Sequence, residues 1–359
     1  MTPCLENGKT AQVTILDDDE VAFGSTEYIV LRHKIGITDN NYIFYLALSQ
    51  YVRDTAIKSM TGTSGRQRAQ TDVIENTKIM LPPLDEQKAI AHILSTLDDK
   101  IEVNNQINKT LENMAQAIFK QWFVDFEFPN EDGEPYKSSG GEMIESELGL
   151  IPKGWEVGCI GDYVKVKSGF AFKSAWWTEK GVPVVKIKSL QNGTINFSDV
   201  GYVDKDKVDK AREFIVNGGD LLIAMTGATI GKIGLVPKYP HKILVNQRVG
   251  KFFLGNLPIK KISFLFCLIS QKTIYDEIVS RGDGSAQPNI SPSQIESIKI
   301  VLPPKEMINK MNNKTQQNFE KMIQNLRENM TLSQLRDTLL PKLISGEIRV
   351  PLESESDAS

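Results

Sequence analysis

The chain has 359 residues, with 42 Lys and Arg against 45 Asp and Glu and a formal net charge of −3. That length allows two domains with sizeable cores. The three cysteines, Cys4, Cys159 and Cys267, have no paired spacing, which excludes a disulfide framework and points to a reducing cytosol. No charged segment followed by an apolar run opens the chain, so no signal peptide is expected. The longest apolar stretch, residues 262–269, is far too short to span a bilayer, so no membrane partner is expected. A negative total argues against nucleic acid only until its distribution is read. Residues 150–303 hold 18 Lys and 3 Arg against 8 Asp and 5 Glu, a local excess of +8. Phosphate binding follows local charge rather than the chain total.

Residues 1–83 mix strand-like runs, at 21–23 and 27–31, with one apolar helix-like stretch at 42–57. They close on Ile74-Glu75-Asn76-Thr77-Lys78-Ile79-Met80-Leu81-Pro82-Pro83, which reads as a strand ended by a proline pair. Residues 85–122 then contain neither Gly nor Pro. They carry an apolar stripe that includes Ile90, Leu94, Leu97, Ile101, Leu111, Ile118 and Trp122. The spacing predicts one helix, roughly 55–60 Å long at about 1.5 Å per residue. Asn104 and Asn108 interrupt the stripe, as polar residues that fix the register of paired helices do. Residues 125–149 are acidic and contain Gly, Pro and Ser, and they read as a linker.

From residue 150, short strand-like pieces alternate with Gly turns up to Ile295-Glu296-Ser297-Ile298-Lys299-Ile300-Val301-Leu302-Pro303-Pro304. This phrase repeats the one at 74–83, as I-E-x-x-K-I-x-L-P-P, 221 residues on. A looser echo relates 59–68 to 280–289 and the first residues to those after Met225, while residues 150–225 match nothing in the first unit. The first unit therefore reads as lacking a front half. A second long helix is expected over 305–340, with Ile308, Phe319, Met322 and Leu326 on its apolar face and Pro341 and Gly346 at its end. Two such stripes bury most simply against each other as an antiparallel pair. The acidic tail from Glu353 reads as disordered.

Several motifs together resemble the specificity (S) subunit of Type I restriction–modification systems. They are Ile151-Pro152-Lys153-Gly154-Trp155-Glu156, Gly169-Phe170-Ala171-Phe172-Lys173-Ser174, Met225-Thr226-Gly227 and Asn246-Gln247-Arg248. The L-P-P-x-x-E-Q-x-x-I run at 81–90, Trp122-Phe123-Val124-Asp125-Phe126, and residues 340–348 complete the order. The resemblance implies an α+β chain with two mixed α/β target-recognition domains, the first partial, separated by two long helices packed as an antiparallel coiled-coil spacer. The boundaries would be 1–83, helix 84–124, linker 125–149, 150–304, helix 305–345 and tail 346–359. It further implies double-stranded DNA read as a two-part target, two methyltransferase (M) subunits and restriction (R) subunits as partners. S-adenosylmethionine, ATP and Mg would belong to those partners, with no cofactor on this chain.

The residues themselves carry no catalytic signature. There is no [N/D]-P-P-[Y/F] motif. The run Gly227-Ala228-Thr229-Ile230-Gly231-Lys232 is one residue short of a phosphate-binding loop and is followed by Ile233. His33, His92 and His241 are isolated. Forked donors and amides read base edges, and hydroxyls and lysines hold phosphates. The DNA-reading candidates in the second unit are therefore Lys173, Ser174, Lys186, Lys188, Thr226, Thr229, Lys232, Asn246, Gln247, Arg248, Ser285, Gln287 and Asn289. In the first unit they are Lys9, Arg66, Gln67 and Arg68. The alternative readings are a helix-pair scaffold that binds protein, and a recognition subunit inactivated by loss of its front half.

Overall fold

The computed structural model describes residues 10–17, 19–62, 67–282 and 288–351. The chain divides into two compact units, Met1–Val103 with Asn329–Ser359, and Asn104–Glu328. The elements in chain order begin with α1 (Asn40–Leu48), α2 (Gln50–Lys58), α3 (Thr71–Glu75) and α4 (Leu84–Phe119). Strands β1 (Met143–Ser146), β2 (Gly149–Pro152) and β3 (Glu156–Cys159) follow, then α5 (Ile160–Tyr163) and β4 (Lys165–Ser168). Next come β5 (Trp177–Thr178), β6 (Val182–Val185), β7 (Leu190–Gln191), β8 (Thr194–Ile195), β9 (Gly201–Val203) and β10 (Ile215–Val216). Then β11 (Leu221–Ala224), β12 (Ile233–Leu235), β13 (Ile243–Val245) and β14 (Val249–Phe253) complete the two large sheets. Helices α6 (Ile262–Ile269), α7 (Lys272–Gly282) and α8 (Pro292–Glu296), strand β15 (Lys299–Leu302) and helix α9 (Lys305–Ile344) end the chain.

In the second unit, two sheets pack face to face. One has six strands in the order β4-β14-β11-β12-β8-β7, the other five in the order β10-β13-β6-β9-β5. The alternation of side chains along a strand sorts β11 between two cores. Leu222 and Ala224 face Val185, Val216, Ile243 and Val245 of the five-stranded sheet. Leu221 and Ile223 face the other way, into a core shared with α6, Phe119, Phe319 and Met322. The far side of the five-stranded sheet is covered by the half-buried aromatics Phe170, Phe172, Trp176, Trp177 and Phe214, packed over Val184, Val203 and Leu244.

Within this unit α4 and α9 run antiparallel, since rising numbers on one meet falling numbers on the other. Asn104 Nδ2 donates to Glu328 Oε2 at 3.0 Å, and Asn325 Nδ2 donates to Asn108 Oδ1 at 2.9 Å. Leu111 and Ile118 pack with Ile308, Phe319, Met322 and Leu326 in the large core. Asn325 is fully buried. Asn325→Ala removes the donor that Asn108 accepts, and should lower the stability of this unit by about 1–2 kcal/mol. A fall in the urea midpoint at unchanged slope checks it.

In the first unit, Tyr42, Tyr45, Ile90, Leu94 and Leu343 form one small core, while Leu97 and Ile101 are half-buried. Tyr45 Oη and Arg336 Nη1 both donate to the Asp98 carboxylate, at 2.8 and 2.6 Å. The E-Q pair of the 81–90 motif is structural. Gln87 is fully buried, donates to the carbonyls of Ile37 and Pro82, and accepts from the Asp39 N–H. Glu86 accepts from Arg349 at 2.6 Å.

Four expectations change. Residues 42–57 are two helices, because Ser49 adopts an extended backbone and its hydroxyl caps α2. The helix-like pattern had no way to show that break. Residues 125–149 are not a bare linker. Phe128 is buried and stacks on Trp155 at 5.1 Å, and β1 pairs with β2. Their charges and turns mask Phe126, Phe128 and Tyr136, of which Phe128 is buried and the other two pack half-buried against Trp155 or Phe128. α9 passes through Pro341 and ends at Ile344. Finally, residues 21–23, 27–31 and 78–81 form no strands. A strand needs a partner for its ladder. The partners of the corresponding second-unit strands lie in residues 150–225, the part with no counterpart in the first unit. The tail beyond residue 351 lies outside the described residues.

Candidate nucleic-acid interface

Three adjacent strands deliver the site to one sheet edge. β4 and β11 are both antiparallel to β14, so the C-terminal ends of β4 and β11 and the N-terminal end of β14 lie together. The chain leaves β4 through Ser168 and Gly169. The Gly169 N–H donates to Val249 O, and the Phe170 N–H donates to Val245 O at 2.8 Å. A Cβ on Gly169 would lie 2.3 Å from Val245 O and 2.4 Å from Asn246 O, so only glycine permits this approach. The turn before β14 is held from both sides. The Asn246 N–H donates to Val185 O and the Gln247 N–H to Phe170 O. The Asn246 side chain accepts from the Arg248 N–H at 3.3 Å. These bonds spend the backbone and the Asn246 amide oxygen on shape and leave the Gln247 and Arg248 side chains exposed.

Thr226, just past β11, is buried and donates its hydroxyl to Asn289 Oδ1 at 2.9 Å. That bond orients the exposed Asn289 amide so that its NH2 is the free end. The Gly227 N–H donates to Pro288 O and the Ile290 N–H to Met225 O, which ties the 288–290 segment to the same edge. The result is an open cleft of about 530 Å³ lined by Ser168, Gly169, Ala171, Thr226, Gln247, Arg248 and Asn289. Among the described residues its lining has one cation and no carboxylate. Arg248 has no ion-pair partner among the described residues. The cleft thus offers a guanidinium fork, two amides and hydroxyls on a concave, uncharged-to-positive surface, the chemistry that reads base edges.

The other candidates separate by position. Thr229 closes the turn after Thr226, its hydroxyl donating to Thr226 O, and Lys232 is exposed just before β12. Lys173 and Ser174 lie in the exposed loop beyond Phe172. Lys173 joins Lys207 and Lys210 around the Trp176 ring, at 5.8, 5.8 and 5.2 Å from its centroid. Lys186 and Lys188 are engaged elsewhere. Lys186 Nζ sits 4.1 Å over Trp177, and burial, with the Lys188 charge, holds its pKa below the ordinary lysine value. Lys188 pairs with Asp199 at 3.3 Å. Lys9, Arg66, Ser285 and Gln287 lie outside the described residues. In the first unit, Gln67 is half-buried, and Arg68 pairs with Glu27 at 2.8 Å.

Sequence reasoning missed Ser168, Ala171, Lys207 and Lys210. The first two carry no signal of their own, being small residues placed by the strand end. The lysines were visible in the charge alternation Lys205-Asp206-Lys207-Val208-Asp209-Lys210, but only the fold turns them toward Trp176. Among the described residues no group of His, Cys, Asp and Glu could hold a metal, and no helix is long and apolar enough to cross a membrane.

The family described as Type I restriction modification DNA specificity domain matches residues 5–113 and 152–334. The Type I restriction enzyme MjaVIII specificity subunit of Methanocaldococcus jannaschii is 30% identical over 334 residues, covering 91% of this chain and 74% of that protein. The Type I restriction enzyme HindI specificity subunit of Haemophilus influenzae is 28% identical over 388 aligned residues, covering 90% and 81%. Among solved structures, the Type I restriction–modification S subunit from M. genitalium aligns with a TM-score of 0.46 at 19% identity, over 85% of this chain and 72% of that one.

Proposed function

This chain belongs to the Type I restriction–modification DNA specificity family, and we propose that its second unit reads one half of a two-part DNA target through the cleft around Arg248. It is a non-catalytic recognition subunit. The observation that supports the reading is the convergence of Thr226, Gln247, Arg248 and Asn289 on one open cleft that has no carboxylate among the described residues. Lys232, with Lys173 and Lys210 beside Trp176, suits the flanking phosphates, where contact sets orientation and not sequence, while Lys207 is paired with Asp206. The chemistry comes from partners: M subunits carrying S-adenosylmethionine transfer the methyl group, and R subunits using ATP and Mg cut. Such a complex works in the cytoplasm, where the chromosome is.

The test is reconstitution. Adenine methylation of duplex DNA should require both this chain and a methyltransferase subunit, and the two should co-purify. Methyl transfer from S-adenosylmethionine by the isolated chain would refute the non-catalytic reading. A helix-pair scaffold that binds only protein would explain α4 and α9 but not the cleft.

A further inference from the structure

Two residues of the cleft are tied together before any ligand arrives. Thr226 and Asn289 face each other across an antiparallel backbone bridge, and residues directly opposite in such a pair project from the same face. Thr226 is 5% exposed, while Asn289 is open to solvent. The backbone holds both in place. The Gly227 N–H donates to Pro288 O, the Ile290 N–H to Met225 O and the Asn289 N–H to Gly282 O, at 2.8, 2.9 and 3.0 Å. The Thr226 hydroxyl has one acceptor among the described residues, Asn289 Oδ1 at 2.9 Å. Turning the amide over would leave a buried hydroxyl proton without an acceptor, a desolvation that nothing offsets. The amide is therefore locked with its oxygen inward, and Asn289 shows the cleft its NH2, which only donates.

This lock changes what the residue selects. A free asparagine amide suits adenine, because it accepts from N6–H2 and donates to N7 at once. Asn289 has its acceptor turned away. In the major groove a donor alone favours an edge that carries acceptors, which is O6 with N7 of guanine, or O4 of thymine. Adenine and cytosine would set their own amino donors against the NH2. Arg248, in the same cleft, likewise carries donors only.

We infer that Thr226 is a positioning residue that makes Asn289 a reader of keto bases, guanine or thymine, and bars adenine and cytosine from its place in the half-site. The inference rests on the DNA reading proposed above and assigns to this pair one position of the sequence that is read.

The test compares the half-sites selected from a pool of randomised duplexes by the full chain and by variants of this pair. Asn289→Asp keeps an oxygen for the Thr226 hydroxyl and replaces the NH2 with an acceptor. The added charge lowers affinity for every duplex, so the readout is the preference among bases. At one position, guanine or thymine should give way to cytosine or adenine, a change of roughly tenfold in relative affinity, with the other positions kept. Thr226→Val removes the hydroxyl with little change of volume and frees the amide to turn. Adenine should then be accepted at that same position, about tenfold better than by the parent chain. Thr226→Ser keeps the hydroxyl and should keep the parent preference. Asn289 is exposed, so Asn289→Asp decides the matter even where Thr226→Val folds poorly. Three results would overturn the inference: a parent preference for adenine or cytosine at the position that Asn289→Asp alters, a selected half-site in which Asn289→Asp alters no position, or a Thr226→Val variant that weakens all duplexes alike and relaxes no single position. Each of these leaves the DNA reading standing. Selection of no half-site by the parent chain would instead remove that reading, and this inference with it.

Discussion

Arg248→Ala should lose roughly 1–3 kcal/mol of affinity for the cognate half-site while binding random duplex almost as before. The geometry gives the reason. The Arg248 side chain lines the cleft without an ion-pair partner among the described residues, while its backbone is fixed through the Asn246 side chain and Met225. Removing the guanidinium therefore deletes a reading group and leaves the loop held. Lys232→Ala should behave oppositely. Exposed just before β12, it should weaken all duplexes alike and reduce the salt slope by about one. Fluorescence titrations of both variants on cognate and random duplexes, at several salt concentrations, separate the two roles. Equal losses on both duplexes for Arg248→Ala would reassign that residue to backbone contact or structure.

Asp220→Ala should cost more than any surface change, about 3–5 kcal/mol, because it strands a buried ammonium. Lys251 Nζ lies 2.6 Å from Asp220 Oδ2, with side-chain exposures of 15% and 3%. The same carboxylate accepts from the Asn217 N–H at 2.8 Å, which holds the turn entering β11. β11 carries both cores of the second unit and ends at the cleft, so its loss should take folding and DNA binding together. The double variant Asp220→Ala, Lys251→Met removes the stranded charge and should recover a large part of the stability. Denaturant midpoints of the single and double variants provide the check. A single variant within about 1 kcal/mol of the parent chain would show that the pair is solvated in solution.

The repeat and the two long helices were legible in the sequence because each rests on local information. A ten-residue phrase returning 221 residues later survives any folding, and a stripe every three or four residues makes a helix almost wherever it packs. The polar interruption at Asn104 and Asn108 also had a local signature, and both side chains hydrogen-bond across the pair. Strands were the weak point. Residues 27–31 and 78–81 have strand-like composition, but ladder formation is decided by a partner that the local pattern does not contain. The segment at 125–149 was misread for a related reason. Its charge and its turn residues dominate the composition, while Phe128 and Tyr136, which stack at 4.6 Å, decide its structure.

The cleft was legible in part. Asn246-Gln247-Arg248 and Thr226 stood out by side-chain chemistry, and the fold brings Thr226, Gln247, Arg248 and Asn289 to one place. Ser168 and Ala171 could not be found, since their role comes from lying at the end of β4 beside a distant turn. Lys186 and Lys188 show the converse. Both have the chemistry of phosphate contacts, yet Trp177 and Asp199 hold them in intramolecular pairs. Residue type proposes a reader of DNA, and the topology decides which residues are left free to read.

Selection from a pool of randomised duplexes, carried out with the chain and its Arg248→Ala variant under the same salt, tests the central claim most directly. The parent chain should enrich one defined half-site, with affinity falling linearly in log–log form as salt rises. Arg248→Ala should lose preference at one or two positions of that half-site and keep the rest. Enrichment of no sequence by the parent chain, or of the same half-site with undiminished preference by Arg248→Ala, would contradict the account.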